Sequence, residues 1–452
     1  MLVTHSHTYK RHRPEQTLLY QLVERHYPEF QKQLSQKGKS LPLHVVKEFE
    51  EFLRCGRLEH GFLRVVCDDC KHEKLLAFSC KRRGFCPSCG ARRMAESAKL
   101  LVEDVLHGYP VRQWVLSLPI PLRLLLARYP KHLSKIMQII HRAISCDIVH
   151  RAGYLKKQAN TGAVTYIQRF GSALNLNIHF HMLFLEGVIT QECGQSKFKC
   201  VKAPNHNDME TLVNVISHRI ATYLEKAGLV QRDMDNTFLD LPMDDEDSLL
   251  PLQAASVNYR IAVGPDTGKK VFALQTLPAK DEQHYGQLAQ INGFSLHAGV
   301  FADSHQTDKL ERLCRYISRP ALSEQRLSLT DSGKVRYQLK TPYQDGTTHV
   351  FFTPLDFIGK LEPYHARSMS WAQRLKRVFN IDITVCEACE KTNVKIITCI
   401  TDPAVIHKIL AHLDKQTLLE AKNDSLMPPL RAPPATASFS DYIIQRDFDF
   451  GA

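Results

Sequence analysis

The sequence has no uninterrupted apolar run of about 18 residues, the length that a helix needs to cross a membrane. We therefore expect no membrane partner. The N-terminus, MLVTHSHTYKRHRPEQ, lacks the apolar stretch of a secretory signal peptide, which argues against export. Without export, the 13 cysteines are expected to be reduced thiols or metal ligands in a cytoplasm rather than disulfides.

Acidic residues are fewer than basic residues. The chain has 59 Lys and Arg residues against 47 Asp and Glu residues, a net charge of +12. Such a surplus favours a polyanionic partner, nucleic acid first, although an ordinary basic enzyme has the same signature. At 452 residues the chain is too long for one ordinary core, so two or three domains are expected.

Two C-x-x-C pairs, Cys67/Cys70 and Cys86/Cys89, are fifteen residues apart. Pairs at this spacing can bring four thiolates to one tetrahedral Zn²⁺ at about 2.3 Å, so the sequence predicts a structural zinc site. Cys55 and Cys80 lie in the same block. They could form part of a second site or replace a paired cysteine, but a buried thiol is the favoured interpretation for each.

A basic segment, Lys81, Arg82 and Arg83, lies between the two pairs. Together with Phe85, which we expect to be exposed, it suits contact with DNA phosphates and stacking on a base. The alternative is a solvated basic loop. A third pair, Cys386-x-x-Cys389, has no second C-x-x-C nearby, and whether it binds zinc with Cys399, His407 or His412 stays open.

The stretch NLNIHFHMLFLEG, which begins at Asn175, reads as a buried strand. Side chains alternate along a strand, so His179 and His181 share one face. The opposite, core-facing residues are Ile178, Phe180 and Met182. Two imidazoles on a rigid strand can share one divalent ion. A half-buried structural pair is the alternative, and the residues alone do not decide between them.

A third ligand would be needed at such a site. The candidates are His297 in FSLHAGV and Gln168 in TYIQRFG, on strands predicted to lie beside the pair. We take His297 as the tentative choice.

The segment TDKLERLCRYISRP predicts an amphipathic helix with Tyr316 at the edge of its apolar stripe. Arg312, Arg315 and Arg319 lie one turn or less away. Guanidinium groups around a phenol could hold a DNA phosphate beside it, and the tyrosine could then attack phosphorus. A tyrosine that merely caps the core is the commoner alternative.

Taken together, the chain resembles the rolling-circle transposases of the insertion-sequence-91 family, which belong to the HUH endonucleases (two histidines around one hydrophobic residue). The resemblance extends from about Leu53 to Leu413. The segments that carry it are CDDCKHEKLLAFSCKRRGFCPSCGARRMAE, RQWVLSLPIPLR, QRFGSALNLNIHFHMLFLEGV, LQAASV, GFSLHAGV, LERLCRYISRP and WAQRLKRVFNIDI.

The resemblance implies an α+β chain in which a zinc-ribbon-like module precedes an HUH nuclease domain built on a central antiparallel sheet. The expected units are N-terminal helices in 1–54, the zinc module in 55–110, the nuclease domain in 111–375, a small C-terminal unit in 376–421 and a disordered tail in 422–452.

It also implies an enzyme that nicks one DNA strand at an end of its element and keeps the 5′ phosphate on Tyr316. His179 and His181 would hold Mg²⁺ or Mn²⁺, while zinc would be structural. The expected partner is single-stranded or hairpin DNA of its own element, at the nucleoid of a bacterial cytoplasm; the oligomeric state stays open. Rival functions are an inactive end-binding protein from a decayed element, and a plasmid replication initiator or relaxase.

Two departures from the family stand out. Two-tyrosine members have a second tyrosine four residues before the position of Tyr316, where this chain has Arg312. This resembles the single-tyrosine branch associated with common-region elements. The segment EPYHARSMS, between FIGKL and WAQRL, is also short for the family, which leaves open whether this copy is active.

Overall fold

The computed structural model describes residues 13–82, 84–192, 195–232, 237–239, 249–279, 287–361, 389 and 394–420. Its helices are α1 (Leu18–Gln36), α2 (Leu43–Arg54), α3 (Pro87–Leu100), α4 (Ile120–Arg128), α5 (Leu133–Arg151), α6 (His206–Lys226), α7 (Leu250–Val257), α8 (Thr307–Ile317), α9 (Pro354–Lys360) and α10 (Pro403–Glu420).

The strands are β1 (Phe62–Cys67), β2 (Glu73–Ala77), β3 (Val111–Ser117), β4 (Ala159–Asn160), β5 (Ala163–Phe170), β6 (Leu176–Leu185), β7 (Gly187–Glu192), β8 (Gln195–Cys200), β9 (Val230–Arg232), β10 (Thr237–Leu239), β11 (Phe272–Gln275), β12 (Leu288–Ile291), β13 (Phe294–Ala302), β14 (Leu327–Leu329), β15 (Val335–Gln338), β16 (Thr347–Phe352) and β17 (Val394–Ile400). This mixture of helices and antiparallel sheets confirms the predicted α+β class.

The central sheet has five strands in the order β12-β13-β3-β6-β5, and every neighbouring pair is antiparallel. One face packs against α4, α5 and α6 in the largest core of the described chain. Ile178, Phe180 and Met182 of β6 point into this core and are fully buried, as the strand period predicted. The histidines of β6 therefore lie on the other face.

That other face is covered by α8 and the end of α3. Leu310, Leu313 and Ile317 of α8 form a core cluster with Ala98 at the end of α3 and Leu183 of β6. The helix TDKLERLCRYI is thus held against the histidine side of the sheet because its apolar stripe has only that surface to bury. The helix begins at Thr307.

A second core lies toward the N-terminus, where α1, α2 and α9 pack beside the sheet β11-β16-β15-β14. Thr17 caps α1 by accepting a hydrogen bond from the Tyr20 amide. The rings of Tyr27 and Phe49 stack with their centroids 4.3 Å apart. This core also contains Cys55, Cys86 and Cys89, so the zinc module and the N-terminal helices share one interior.

A three-stranded sheet, β17-β1-β2, completes the zinc module. Its outer strand comes from the far end of the chain: Phe62 of β1 pairs with Ile400 of β17, and Cys67 pairs with Val394. The C-terminal unit that the sequence suggested was separate therefore supplies a strand to the N-terminal module.

Two further predictions from the sequence are met only in part. The sequence YRIAVG predicts a strand, but the segment forms only the isolated bridge between Arg260 and Lys270. The acidic stretch Asp233–Asp247 predicts a solvated loop, and the structure describes it only at residues 237–239, which form β10. The shortened segment before Trp371 and the expected tail in 422–452 lie outside the described residues.

Candidate active site

Four cysteine thiols meet where α2, the loop after β2 and the start of α3 converge. They are Cys55, Cys80, Cys86 and Cys89, and their sulfurs all lie within 4.8 Å of one another. The Sγ–Sγ distances are 3.6 Å between Cys55 and Cys89, 3.4 Å between Cys80 and Cys89, and 3.8 Å between Cys86 and Cys55. Four sulfurs around Zn²⁺ at about 2.3 Å would be about 3.8 Å apart, so the cluster has the dimensions of a Cys₄ zinc site.

The structure does not form the single site that the C-x-x-C spacing predicted. Cys67 and Cys70 lie at the turn between β1 and β2, and there they form a separate group with Cys389. The hairpin carries this pair away from Cys86 and Cys89, whose site is completed from α2 and from the loop after β2. Cys55 and Cys80, interpreted as buried thiols, are therefore members of the first cluster.

The protonation of the first cluster shows why it suits a cation. Hydrogen bonds from the Cys55, Cys80 and Cys86 thiols hold the pKa of Cys89 well below its ordinary value. Hydrogen bonding within the cluster, to Cys55 first, and burial raise the pKa of Cys86 well above its ordinary value. A divalent cation bound by the four sulfurs would stabilise the thiolates together.

In the basic loop that contains Lys81 and Arg82, the neighbouring Phe85 is buried rather than exposed as predicted. Phe85 is only 3% exposed and packs against Phe49 and Phe52 of α2, with both ring centroids 4.9 Å away. It is a core residue, so the predicted base-stacking role is wrong. Arg82 is paired with Glu51 at 2.5 Å. Lys81 is exposed, and Arg83 lies outside the described residues, so phosphate contact by these three residues stays a prediction.

His179 and His181 lie side by side on β6, with ring centroids 4.9 Å apart. Nδ1–H of His179 donates to the Asn177 carbonyl at 2.9 Å, which leaves the lone pair of the neutral ring on Nε2. The side-chain nitrogen of Gln113, Nε2, is 2.8 Å from Nδ1 of His181. Turning this amide over places its oxygen on Nδ1–H instead, and Nε2 of His181 then also carries a lone pair.

Nε2 of His181 is buried and has no hydrogen-bond partner among the described residues. Burial first, and then the charges of His179, Arg319 and Lys340, holds the pKa of His181 well below its ordinary value. A neutral, oriented imidazole with an orphaned buried nitrogen is the state that a divalent metal ion requires. The residues present therefore fit a metal site.

The candidate third ligands differ in their placement. Gln168 of β5 is directly opposite His179 in the strand register, and its amide nitrogen donates to the Ile317 carbonyl at 2.9 Å. The Gln168 side chain therefore lies on the histidine face of the sheet, against the end of the tyrosine helix. His297 is two strands from His181, because Val115 of β3 pairs with both. At about 4.8 Å per strand, the structure does not bring His297 to the pair.

Tyr316 lies on α8 directly above His181. The two rings meet edge to face, with centroids 5.6 Å apart. Two cations lie over the tyrosine ring: the Arg319 guanidinium carbon is 4.4 Å from its centroid, and Lys340 Nζ is 4.1 Å away. The sequence had no signal for Lys340, which comes from the segment after β15.

The other two arginines predicted to surround Tyr316, Arg312 and Arg315, have other surroundings. Arg315 is paired with Glu311 one turn earlier, at 2.7 Å. Arg312 is exposed and lines a cavity of about 320 Å³ with His305, Gln306, Asp308 and others at the start of α8. Of the three arginines, Arg319 has a described contact with Tyr316.

Helix α3, which contains Cys89 of the cysteine cluster, contacts the segment that follows the tyrosine helix. Gly90, in the first turn of α3, approaches Pro320 so closely that an added Cβ would lie 2.7 Å from the proline Cβ. Ser318 Oγ also contacts the Met94 carbonyl of α3 at 3.5 Å. Helix α3, which has Cys86 at its N-cap and Cys89 in its first turn, therefore supports the segment that follows Tyr316.

A family model described as "Putative transposase" matches residues 162–365, and one described as "Transposase zinc-binding domain", of insertion-sequence-91 transposases, matches residues 22–118. The chain belongs to the insertion-sequence-91 family of transposases. No curated protein and no solved structure matches it. The first match contains both histidines and Tyr316, and the second contains the whole Cys55 cluster. The protein is thus a DNA transposase with a structural zinc site.

Within the described part of the transposase, every helix is too short or too polar to span a bilayer.

Proposed function

We propose that this transposase cuts and rejoins single DNA strands at the ends of its element through a covalent bond between Tyr316 and a 5′ phosphate. The observation that carries the proposal is the contact between the Tyr316 ring and His181, beneath the cationic groups of Arg319 and Lys340. A nucleophile, a pair of metal-ligating nitrogens and two cations are thereby gathered on one face of the central sheet.

In the proposed step the Tyr316 hydroxyl oxygen attacks the phosphorus of a phosphodiester. An O–P bond to tyrosine forms, the bond from phosphorus to the 3′ oxygen breaks, and that oxygen leaves with a proton as a free 3′-OH. Arg319 and Lys340 attract the strand and offset the negative charge that grows on the phosphate oxygens. Attack by a 3′-OH on the phosphotyrosine reverses the same bond changes and reseals a strand.

His179 and His181 would hold the catalytic metal through their Nε2 atoms, with the Gln168 amide oxygen as the third ligand. The imidazole pair suits Mn²⁺, and oxygen ligands also admit Mg²⁺. The ion would polarise the scissile phosphate as a Lewis acid. Asn177 and Gln113 orient the two rings, and Gln168 links the third ligand position to the end of the tyrosine helix.

A single nucleophile fits the chain, since Arg312 stands where two-tyrosine members have their other tyrosine. We therefore place the transposase in the single-tyrosine branch and infer a rolling-circle reaction whose 3′-OH primes replacement synthesis. Its substrate would be single-stranded or hairpin DNA, because the phenol must reach an exposed phosphate. The site of action would be the bacterial nucleoid.

The test uses labelled single-stranded DNA from the element's ends with Mn²⁺ or Mg²⁺, followed by a denaturing gel. We expect a covalent adduct with wild-type protein and with the exposed control Tyr109→Phe. The adduct should disappear in Tyr316→Phe, in His179→Ala/His181→Ala, and when the divalent ion is removed.

Other outcomes would redirect the assignment. Tyr166 lies opposite His181 in the sheet register, so an adduct that survives Tyr316→Phe but is lost in Tyr166→Phe would move the nucleophile to β5. Tight DNA binding without any adduct would indicate an inactive end-binding protein. Nicking at a replication or transfer origin instead of element ends would indicate an initiator or relaxase.

A further inference from the structure

A second group of thiols is separate from the Cys55 cluster; two of its members lie within the residues that match the zinc-binding domain, and the third comes from the far end of the chain. Cys67 ends β1, Cys70 lies in the turn before β2, and Cys389 comes from near the start of β17. The sulfurs of Cys67 and Cys389 are 3.5 Å apart, and all three sulfurs lie within 4.8 Å of one another.

The backbone shows how residues so distant in sequence meet. β1 and β17 are antiparallel, and Cys67 pairs with Val394, so the start of β17 lies beside the β1–β2 turn. In that turn the Lys71 amide donates to the Cys67 carbonyl at 2.9 Å, which folds the C-x-x-C segment back on itself. Both thiols of the pair therefore reach the same place as Cys389.

We propose that Cys67, Cys70 and Cys389 hold a second zinc ion, separate from the ion of the Cys55 cluster. The Cys67–Cys389 spacing of 3.5 Å is close to the roughly 3.8 Å edge of a tetrahedral thiolate site. Soft thiolates select zinc over the oxygen-preferring divalent ions. Cys386 supplies a C-x-x-C partner in the sequence but lies outside the described residues, so we base the proposal on the three described thiols.

The burial of the group also suits a metal better than an isolated thiol contact. Cys67 is 1% exposed, Cys389 is half-buried and Cys70 is exposed. A zinc ion here would fasten the β1–β2 turn to a segment 322 residues further along the chain. Such a link removes much of the freedom of the unfolded chain, because it closes a very long loop.

The first experiment measures zinc per chain in purified full-length protein by mass spectrometry of the metal. We expect about two zinc ions in the wild type and about one in Cys389→Ser, because only the second site is lost. Cys80→Ser should also retain about one, from the other site. Cys200→Ser, an exposed cysteine outside both groups, is the matched control and should keep both.

About one zinc in the wild type, or an unchanged zinc content in Cys389→Ser, would overturn the proposal. The single zinc retained by Cys389→Ser shows that the variant folds. If it does not fold, Cys70→Ser at the exposed position carries the same expectation and the same refutation.

A titration with Co²⁺ needs no variant. The thiolate-to-cobalt absorbance of the metal-free wild type should rise until about two equivalents are bound, and saturation at about one would exclude the second site. None of these readouts depends on DNA cleavage.

Discussion

Replacing Gly90 by alanine tests whether the zinc module positions the tyrosine. The added Cβ would lie 2.7 Å from Pro320 Cβ, whereas carbon atoms in contact are about 3.5–4.0 Å apart. The proline ring cannot rotate away, so α3 and the segment after α8 must separate by about 1 Å. Tyr316 lies four residues before Pro320 and would move with it.

The expected magnitudes follow from this separation. Overpacking of this kind costs about 1–3 kcal/mol, and the better helix propensity of alanine returns about 1 kcal/mol. We therefore expect a net loss of stability of up to about 2 kcal/mol. The effect on chemistry should be larger, because a displacement of about 1 Å at a reacting group can reduce a rate about 100-fold.

The assay compares Gly90→Ala with Gly359→Ala, a second helical glycine whose added Cβ would meet Phe30 at an ordinary 3.5 Å. Adduct formation on element-end DNA is followed in time, and stability is measured by urea unfolding. Zinc content, measured alongside, should stay at the wild-type value in both variants. If Gly90→Ala reacts at the wild-type rate and becomes as stable as the control, the contact does not position Tyr316.

Three further expectations concern the central sheet. Burial lowers the pKa of His297 from 6.5 to about 4. Between these two pH values the unfolded chain binds a proton that the folded chain excludes. The free energy of unfolding therefore falls by about 3 kcal/mol as the pH is lowered from 6.5 to about 4. His297→Gln should remove that fall, as measured by urea unfolding. Arg112→Ala should cost about 3–5 kcal/mol by stranding the buried Glu186 carboxylate, its partner at 2.7 Å, and a loss under 1 kcal/mol would contradict this. Gln113→Leu should weaken Mn²⁺ binding about 10–100-fold in calorimetry by releasing His181, and unchanged affinity would refute the orienting role.

The parts of the site that follow a strand period could be predicted from the sequence. His179 and His181 share a face, and Ile178, Phe180 and Met182 are buried opposite them, because alternation is a local property of any strand. The apolar stripe of α8 likewise fixed which side of that helix packs on the sheet.

What depends on pairing between distant segments could not be predicted. Gln113 reaches His181 only because β3 and β6 are neighbours in one register, and the same pairings put His297 two strands away from His181. The cysteine spacing gave no sign that a hairpin would divide the pairs. Phe85 appeared suited to a surface loop because its partners Phe49 and Phe52 lie more than 30 residues earlier.

The pairing of β1 with β17 affects how the chain folds during its synthesis. During synthesis β1 is made early, but its partner strand emerges only after the entire central sheet. Until then one edge of β1 has unpaired amide and carbonyl groups and is exposed to pairing with other chains. A frameshift or stop codon after α9 and before β17 would therefore leave Tyr316, Arg319 and Lys340 encoded, yet yield a protein in which β1 keeps an unpaired edge and tends to aggregate.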